Sequence, residues 1–308
     1  VLAILCPGQG AQSPGMLSPW LELPELSTSL DAYSEAAGLD LRRLGTEADA
    51  EEIRDTRNAQ PLIVAASLLA LQALLGQDTA AVDVTAGHSV GELAAAAVAG
   101  VLTAGEAMTL VGVRGRAMAE AAAVTPTGMS AVVGGDPEEV EQVLARHGLT
   151  AANVNGGGQV VAAGTLDQLA ALAAEPPARA RVVPLQVAGA FHTEHMAPAV
   201  GEVAAAAASL TPVAPRATLL SNADGAAVTS GQDALDRIVA QVARPVRWDL
   251  CCEAMVDLGV TAAVELAPAG VLTGLARRTL PGVQTLALKS PDQIDAAREL
   301  VREHGGAR

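Results

Sequence analysis

Gly87-His88-Ser89-Val90-Gly91 is where the chemistry of this chain concentrates, because G-x-S-x-G is the sequence of a nucleophile elbow, a serine on a sharp turn between a strand and a helix. Glycines two before and two after the serine remove side chains that would collide there. The context fits. Ala81 to Ala86 read as a buried strand, and Val90 to Gly100, almost all small residues, as the helix that follows. Such a turn aims Ser89 Oγ outward at the positive end of a helix, where backbone N–H groups stabilise the oxyanion formed when a carbonyl is attacked. The implied chemistry is acyl transfer through a serine ester.

A serine hydroxyl needs a base to take its proton. His192 is best placed: it follows a predicted strand end, Val187-Ala188-Gly189-Ala190-Phe191, and precedes a helix, the loop position where catalytic groups gather in open parallel sheets. His195 is the nearest rival; its plainer reading is a residue packed on the helix one turn further along. A triad acid is awkward to find. Between Ser89 and His192, Asp136, Glu138, Glu139, Glu141, Asp167 and Glu175 nearly all fall in a predicted insert, so a serine–histidine dyad oriented by a carbonyl or amide is the simpler proposal. Arg114, within Leu110-Val111-Gly112-Val113-Arg114-Gly115-Arg116, has glycine neighbours that let a guanidinium reach into a cleft, where its planar fork matches a carboxylate. The alternative is a solvated helix arginine. Pro7-Gly8-Gln9-Gly10-Ala11-Gln12 suggests a dinucleotide loop but has Ser13 where the last glycine of G-x-G-x-x-G belongs; such a loop can instead aim a backbone N–H at the oxyanion, joining that of Val90.

These groups need a scaffold, and helical and strand-like segments alternate along the chain as in a mainly parallel α/β sheet covered by helices. Ala59–Leu75 repeats apolar residues at helical spacing, and Thr103 with Glu106 three residues on predicts a capping box opening a helix to Ala122. Beyond Thr125-Pro126-Thr127-Gly128 the order becomes strand-helix-strand-strand-helix-strand, a ferredoxin-like unit. Residues 124–188 are therefore expected to form an inserted small subdomain, with Gly156-Gly157-Gly158 as its hairpin turn, and 1–123 with 189–308 the large one. Strands are expected at 129–134, 149–154, 159–164 and 180–187 within the insert, and near 217–221 and 262–265 beyond it.

At 308 residues the chain can bury a large core. No apolar stretch of about 18 residues free of charges and breakers is read, so no membrane span is expected. A first strand at Val1–Cys6 lacks the marks of a secretory leader, and three cysteines, two of them adjacent, suit neither a disulfide framework nor a C-x-x-C metal site; a cytoplasmic protein is expected. His192 and His195 are the only closely spaced histidines, and no metal is expected. A net charge of −15 with two Trp, one Tyr and one Phe argues against nucleic acid, and any anionic ligand needs a local arginine cluster.

Taken together, Pro7-Gly8-Gln9-Gly10-Ala11-Gln12, Gln60-Pro61, Gly87-His88-Ser89-Val90-Gly91-Glu92, Arg114-Gly115, Asn155 with Gln159-Val160-Val161-Ala162-Ala163-Gly164, Phe191-His192 and Pro245-Val246-Arg247-Trp248 resemble the malonyl-CoA:acyl carrier protein transacylases over almost the whole chain. The resemblance implies an α/β-hydrolase-like large subdomain interrupted by a ferredoxin-like one. It implies Ser89 as nucleophile, His192 as base and acid, and Arg114 as clamp for the free carboxylate of malonate. The backbone N–H groups of Gln9 and Val90 would form the oxyanion hole, Gln60 would line the pocket, and the Gln241 carbonyl would orient the histidine. Phe191 resembles malonyl-selective acyltransferase domains of polyketide synthases, where bulk disfavours a methylmalonyl unit. Arg244 stands where asparagine is common in the family, and the glycine triplet replaces its usual serine-proline. The implied substrates are malonyl-CoA, a coenzyme A thioester, and phosphopantetheinylated acyl carrier protein, with no bound cofactor, and a monomer is expected. A serine hydrolase and a carrier-binding module with a dead site remain the alternatives. Arg179, Arg181, Arg277 and Arg278 are the candidates to meet an acidic carrier.

Overall fold

In the computed structural model, which describes residues 1–76 and 78–306, the chain begins with β1 (Leu2–Cys6), α1 (Pro24–Ala37), α2 (Leu41–Thr46), α3 (Thr56–Leu75), β2 (Val84–Gly87), α4 (Gly91–Val98) and α5 (Ala104–Ala122). A middle stretch follows as β3 (Thr127–Gly134), α6 (Pro137–Arg146), β4 (Thr150–Gly156), β5 (Gln159–Thr165), α7 (Leu166–Ala174) and β6 (Ala180–Pro184). The remainder is α8 (Ala197–Ala207), β7 (Thr218–Leu220), α9 (Gly231–Gln241), β8 (Val246–Arg247), α10 (Trp248–Asp257), β9 (Ala262–Glu265), α11 (Val271–Thr279), β10 (Gln284–Ala287) and α12 (Ile294–His304).

One sheet, in the order β10-β9-β1-β2-β7, is parallel throughout. β1 is central and wholly buried: Leu2, Ile4 and Cys6 join a core with residues of α3, α4 and α5, while Ala3 and Leu5 face Trp248, Met255 and Leu272 of α10 and α11. Burial on both faces explains the unbroken apolar run, and each buried leucine or isoleucine stabilises by about 2 kcal/mol.

A second sheet runs β6-β3-β5-β4-β8, antiparallel except for the β4–β8 pair. Val132 and Ala162 pack under Val140 and Leu144 of α6 and Leu169 and Leu172 of α7, while Met129, Val161 and Ala163 turn toward the main core. Two residues of β8 carry no periodic signal, and the sequence does not mark them as a strand.

Other boundaries shift. β2 starts at Val84 rather than Ala81, because Val82 N–H closes a turn onto the Thr79 carbonyl at 3.0 Å. The last strand of the middle stretch ends at Pro184, short of Val187. α3 is long and apolar enough to cross a membrane by length and composition, although it holds Arg57 and the breaker Pro61; most of it is buried in the core. The capping box of α5 is present, with Thr103 Oγ1 accepting from Glu106 N–H at 3.2 Å and Glu106 Oε2 accepting from Thr103 N–H at 2.8 Å.

Candidate active site

Ser89 leaves the carboxyl end of β2 with φ 54°, a left-handed conformation that costs about 1–3 kcal/mol for a residue with a Cβ. A Cβ on Gly87 would overlap the backbone of Gly91 and Glu92, and one on Gly91 the Cys6 carbonyl, so both flanking positions demand glycine. His88 N–H donates to the Cys6 carbonyl at 2.9 Å, tying the turn to β1, and Glu92 N–H to the Ser89 carbonyl at 3.0 Å as α4 begins. The turn is spanned by Asn222, just beyond β7: its Oδ1 accepts from Ser89 N–H at 2.7 Å and its Nδ2 donates to the Gly87 carbonyl at 2.7 Å.

His192 reaches the serine from the loop before α8. Its Nε2 lies 2.7 Å from Ser89 Oγ, and its Nδ1 lies 2.8 Å from the carbonyl of Gln241 at the end of α9. A carbonyl can only accept, so Nδ1 carries the proton and the Nε2 lone pair faces the serine hydroxyl. The loop is pinned on both sides, with Ala190 N–H donating to Thr127 Oγ1 at 2.9 Å and Thr193 Oγ1 to the Ala190 carbonyl at 2.6 Å. The Gln241 side chain in turn donates to the carbonyls of Arg244 at 2.7 Å and Pro245 at 2.8 Å. Burial, and next the Arg114 charge, push the His192 pKa down to about 3, against the carbonyls of Gln241 and Arg244. The imidazole is neutral and free to accept a proton.

Arg114 is 1% exposed, not a solvated helix arginine. Close packing puts it there: a Cβ at Gly112 would stand 2.6 Å from the Ala37 carbonyl, and one at Gly115 3.2 Å from those of Thr56 and Arg57. Pro61 has no N–H for the Arg57 carbonyl one turn back. With α5 held this close to α1 at Gly112 and to α3 at Gly115, Arg114 Nη1 donates to Gln60 Oε1 at 2.6 Å, while Nη2 lies 3.5 Å from Ser89 Oγ. The Gln60 amide nitrogen lies 3.4 Å from Met118 Sδ, which sets its carbonyl toward the arginine. Burial lowers the Arg114 pKa to about 10, opposed by Glu92, so the guanidinium stays charged at neutral pH.

Ser89, His192, Arg114, Gln60 and Gln241 thus converge, and His192, not His195, meets the serine. Gln9 follows β1 and Val90 follows Ser89, at the ends of adjacent strands. Phe191 is buried in the main core beside His192. His88 points away from the serine, to Asn155 of β4 at 2.9 Å, and its ring lies 5.6 Å from that of Trp248. Two buried residues were given no role from the sequence. Asn222 bore one signal, a polar residue just past a predicted strand end; Glu92 bore another, a lone acid in a helix of small residues. Burial raises the Glu92 pKa to about 7, against Asn222, Arg114 and Arg237.

A family model for the acyl transferase domain matches residues 4–297. A malonyl CoA-acyl carrier protein transacylase of Mycobacterium tuberculosis is 54% identical over 306 residues, 97% of this chain and 100% of that protein. The crystal structure of MCAT from Mycobacterium tuberculosis superposes with a TM-score of 0.94 at 55% identity, covering 96% of this chain and 99% of the other. A malonyl-transacylase solved in complex with a type II PKS acyl-carrier protein superposes with a TM-score of 0.89 at 29% identity, covering 97% of this chain and 99% of the other. With the family model spanning nearly all of it and more than half its residues shared with a full-length relative, the chain belongs to the malonyl CoA-acyl carrier protein transacylases of the acyl transferase family.

Proposed function

We propose that the chain transfers a malonyl group from malonyl-CoA to the phosphopantetheine thiol of an acyl carrier protein through an ester on Ser89. One observation carries the mechanism: a single serine oxygen lies within 2.7 Å of a neutral imidazole nitrogen and 3.5 Å of a buried guanidinium.

The malonyl carboxylate would pair with Arg114, whose fork Gln60 holds from one side. Ser89 Oγ attacks the thioester carbonyl while its proton passes to His192 Nε2, and the backbone N–H groups of Gln9 and Val90 receive the developing oxyanion. Collapse breaks the C–S bond, and His192 returns the proton to the departing sulfur, releasing coenzyme A as the thiol. The second half runs in reverse. His192 takes the proton of the carrier thiol, the sulfur attacks the ester carbonyl, and Ser89 recovers its proton as the C–O bond breaks. Each step uses groups of the chain itself, and the proposal calls for no cofactor or metal. The bulk of Phe191 beside the base disfavours a branched acyl group.

We read residues 124–188 as the small, ferredoxin-like subdomain and the rest as α/β-hydrolase-like, supported by a second sheet drawn almost wholly from 127–184. For the carrier, the stem of Arg278 packs over Gly157, while Gly134, beside the Arg179 carbonyl, donates to the Gly158 carbonyl at 2.8 Å. Arg179 and Arg278 thus flank one glycine turn, with exposed Arg181 and Arg277 close to them in sequence, which supports a basic rim on an acidic protein that suits an acidic carrier of fatty acid or polyketide synthesis. The three cysteines are buried free thiols, which suits a reducing cytoplasm.

The test is carrier loading from malonyl-, methylmalonyl- and acetyl-CoA. Malonyl-carrier as the main product supports transfer; free malonate in its place would make the protein a hydrolase.

A further inference from the structure

Asn222 is fully buried and uses its carboxamide on two groups of the elbow, the Ser89 N–H and the Gly87 carbonyl, which straddle His88. Both bonds are 2.7 Å. The elbow cannot close these groups on itself while Ser89 holds φ at 54°, so the amide supplies from outside the donor and the acceptor that a regular turn would find within. The main chain of Asn222 is anchored separately. Its N–H donates to Glu92 Oε1 at 2.8 Å, and its carbonyl accepts from Arg247 N–H at 2.7 Å, so truncating the side chain leaves the loop tethered to α4 and to β8.

We propose that Asn222 is a positioning residue for the acylation step, fixing the direction of Ser89 Oγ toward His192 by clamping the turn from Gly87 to Ser89, with Glu92 as the anchor of the clamp. The bond from Ser89 N–H also directs that donor away from the substrate, leaving the amide of Val90, one residue on, to serve the oxyanion. A shift of about 1 Å at the nucleophile is enough to slow such chemistry about 100-fold while hardly touching substrate affinity. The inference rests on Ser89 being the nucleophile.

The experiment follows malonyl loading by rapid quench and intact mass for wild type, Asn222→Ala, Asn222→Ser and Asn222→Asp, with Ser89→Ala as control. Alanine and serine cannot span both elbow groups. Their loading rate constant is expected to fall about 10- to 100-fold, with half-saturating malonyl-CoA within about twofold of wild type. Aspartic acid keeps the acceptor for Ser89 N–H and, protonated by burial, restores a donor to the Gly87 carbonyl, so that variant recovers most of the rate. Loading at the wild-type rate in the folded alanine or serine variant overturns the inference, as does an aspartate variant no faster than they are. If alanine prevents folding, the serine and aspartate pair decides alone. A wild-type protein that forms no adduct on Ser89 sinks the nucleophile assignment instead, which separates the two failures.

Discussion

His192 Nδ1 donates its proton to the Gln241 backbone carbonyl at 2.8 Å, so the proposed base of this site is oriented by a neutral dipole rather than by a carboxylate. A carboxylate would stabilise the imidazolium strongly; a carbonyl fixes the tautomer and does less for the charge. The neighbouring Arg114 charge then weighs directly on the basicity of His192.

A pH dependence follows, and its sign is fixed. The folded His192 pKa lies near 3, below the ordinary histidine value, so malonyl loading is expected to stay flat from about pH 8 down to about pH 5. Arg114→Ala removes one of the causes of that depression, which raises the pKa and moves the acidic limb to higher pH. The same variant should lose malonyl loading about 100-fold or more while acetyl loading, which needs no clamp, falls far less. Acetyl-loading rates against pH in both proteins check the limb; an unmoved limb, or equal losses for the two acyl groups, counts against the role given to Arg114.

Glycine substitutions separate the elbow from ordinary helix. Gly87→Ala forces a Cβ into the backbone of Gly91 and should destabilise the protein by more than about 3 kcal/mol. Gly201→Ala, on α8 with no atom within 4 Å of the added carbon, should stabilise it by about 0.5–1 kcal/mol. Urea unfolding of both variants is the check, and similar midpoints would contradict it.

That contrast shows what the sequence makes legible. The elbow could be read because its chemistry is local: Gly87, Ser89 and Gly91 must stand at fixed spacing for one turn to form. Arg114 could be noticed, yet its burial could not, because that depends on α5 meeting α1 at Gly112 and α3 at Gly115, far apart in sequence from the residues they touch. The role of Asn222 was hidden for the same reason: its place past a predicted strand end could be seen, but the elbow groups its side chain clamps precede it by more than a hundred residues. β8 was invisible because its strand character comes only from β4 beside it.

Glu265 is a structural counterpart to the proposed catalytic groups. Fully buried, it accepts from the backbone N–H groups of Gly270, Val271, Leu272 and Thr273 at 2.8, 3.2, 2.9 and 2.8 Å, capping α11. Glu265→Gln turns an amide NH₂ toward those donors and should cost about 2–4 kcal/mol of stability. A loss below about 0.5 kcal/mol in urea unfolding would contradict the capping role.

The basic rim is tested by charge reversal. Arg278→Glu should raise the half-saturating concentration of carrier about tenfold at low salt and leave malonyl-CoA loading of the enzyme unchanged. Steady-state rates at several carrier concentrations and ionic strengths read this out, and an unchanged carrier dependence would move the docking face elsewhere.

The central claim is that the malonyl group rests on Ser89 between its two partners. Intact-mass and peptide analysis of the protein after mixing with malonyl-CoA tests it most directly. One malonyl group confined to the Ser89 peptide, lost when carrier thiol is added and absent from Ser89→Ala, is the predicted result. A folded wild-type protein without that adduct, or an adduct that persists in Ser89→Ala, would contradict it.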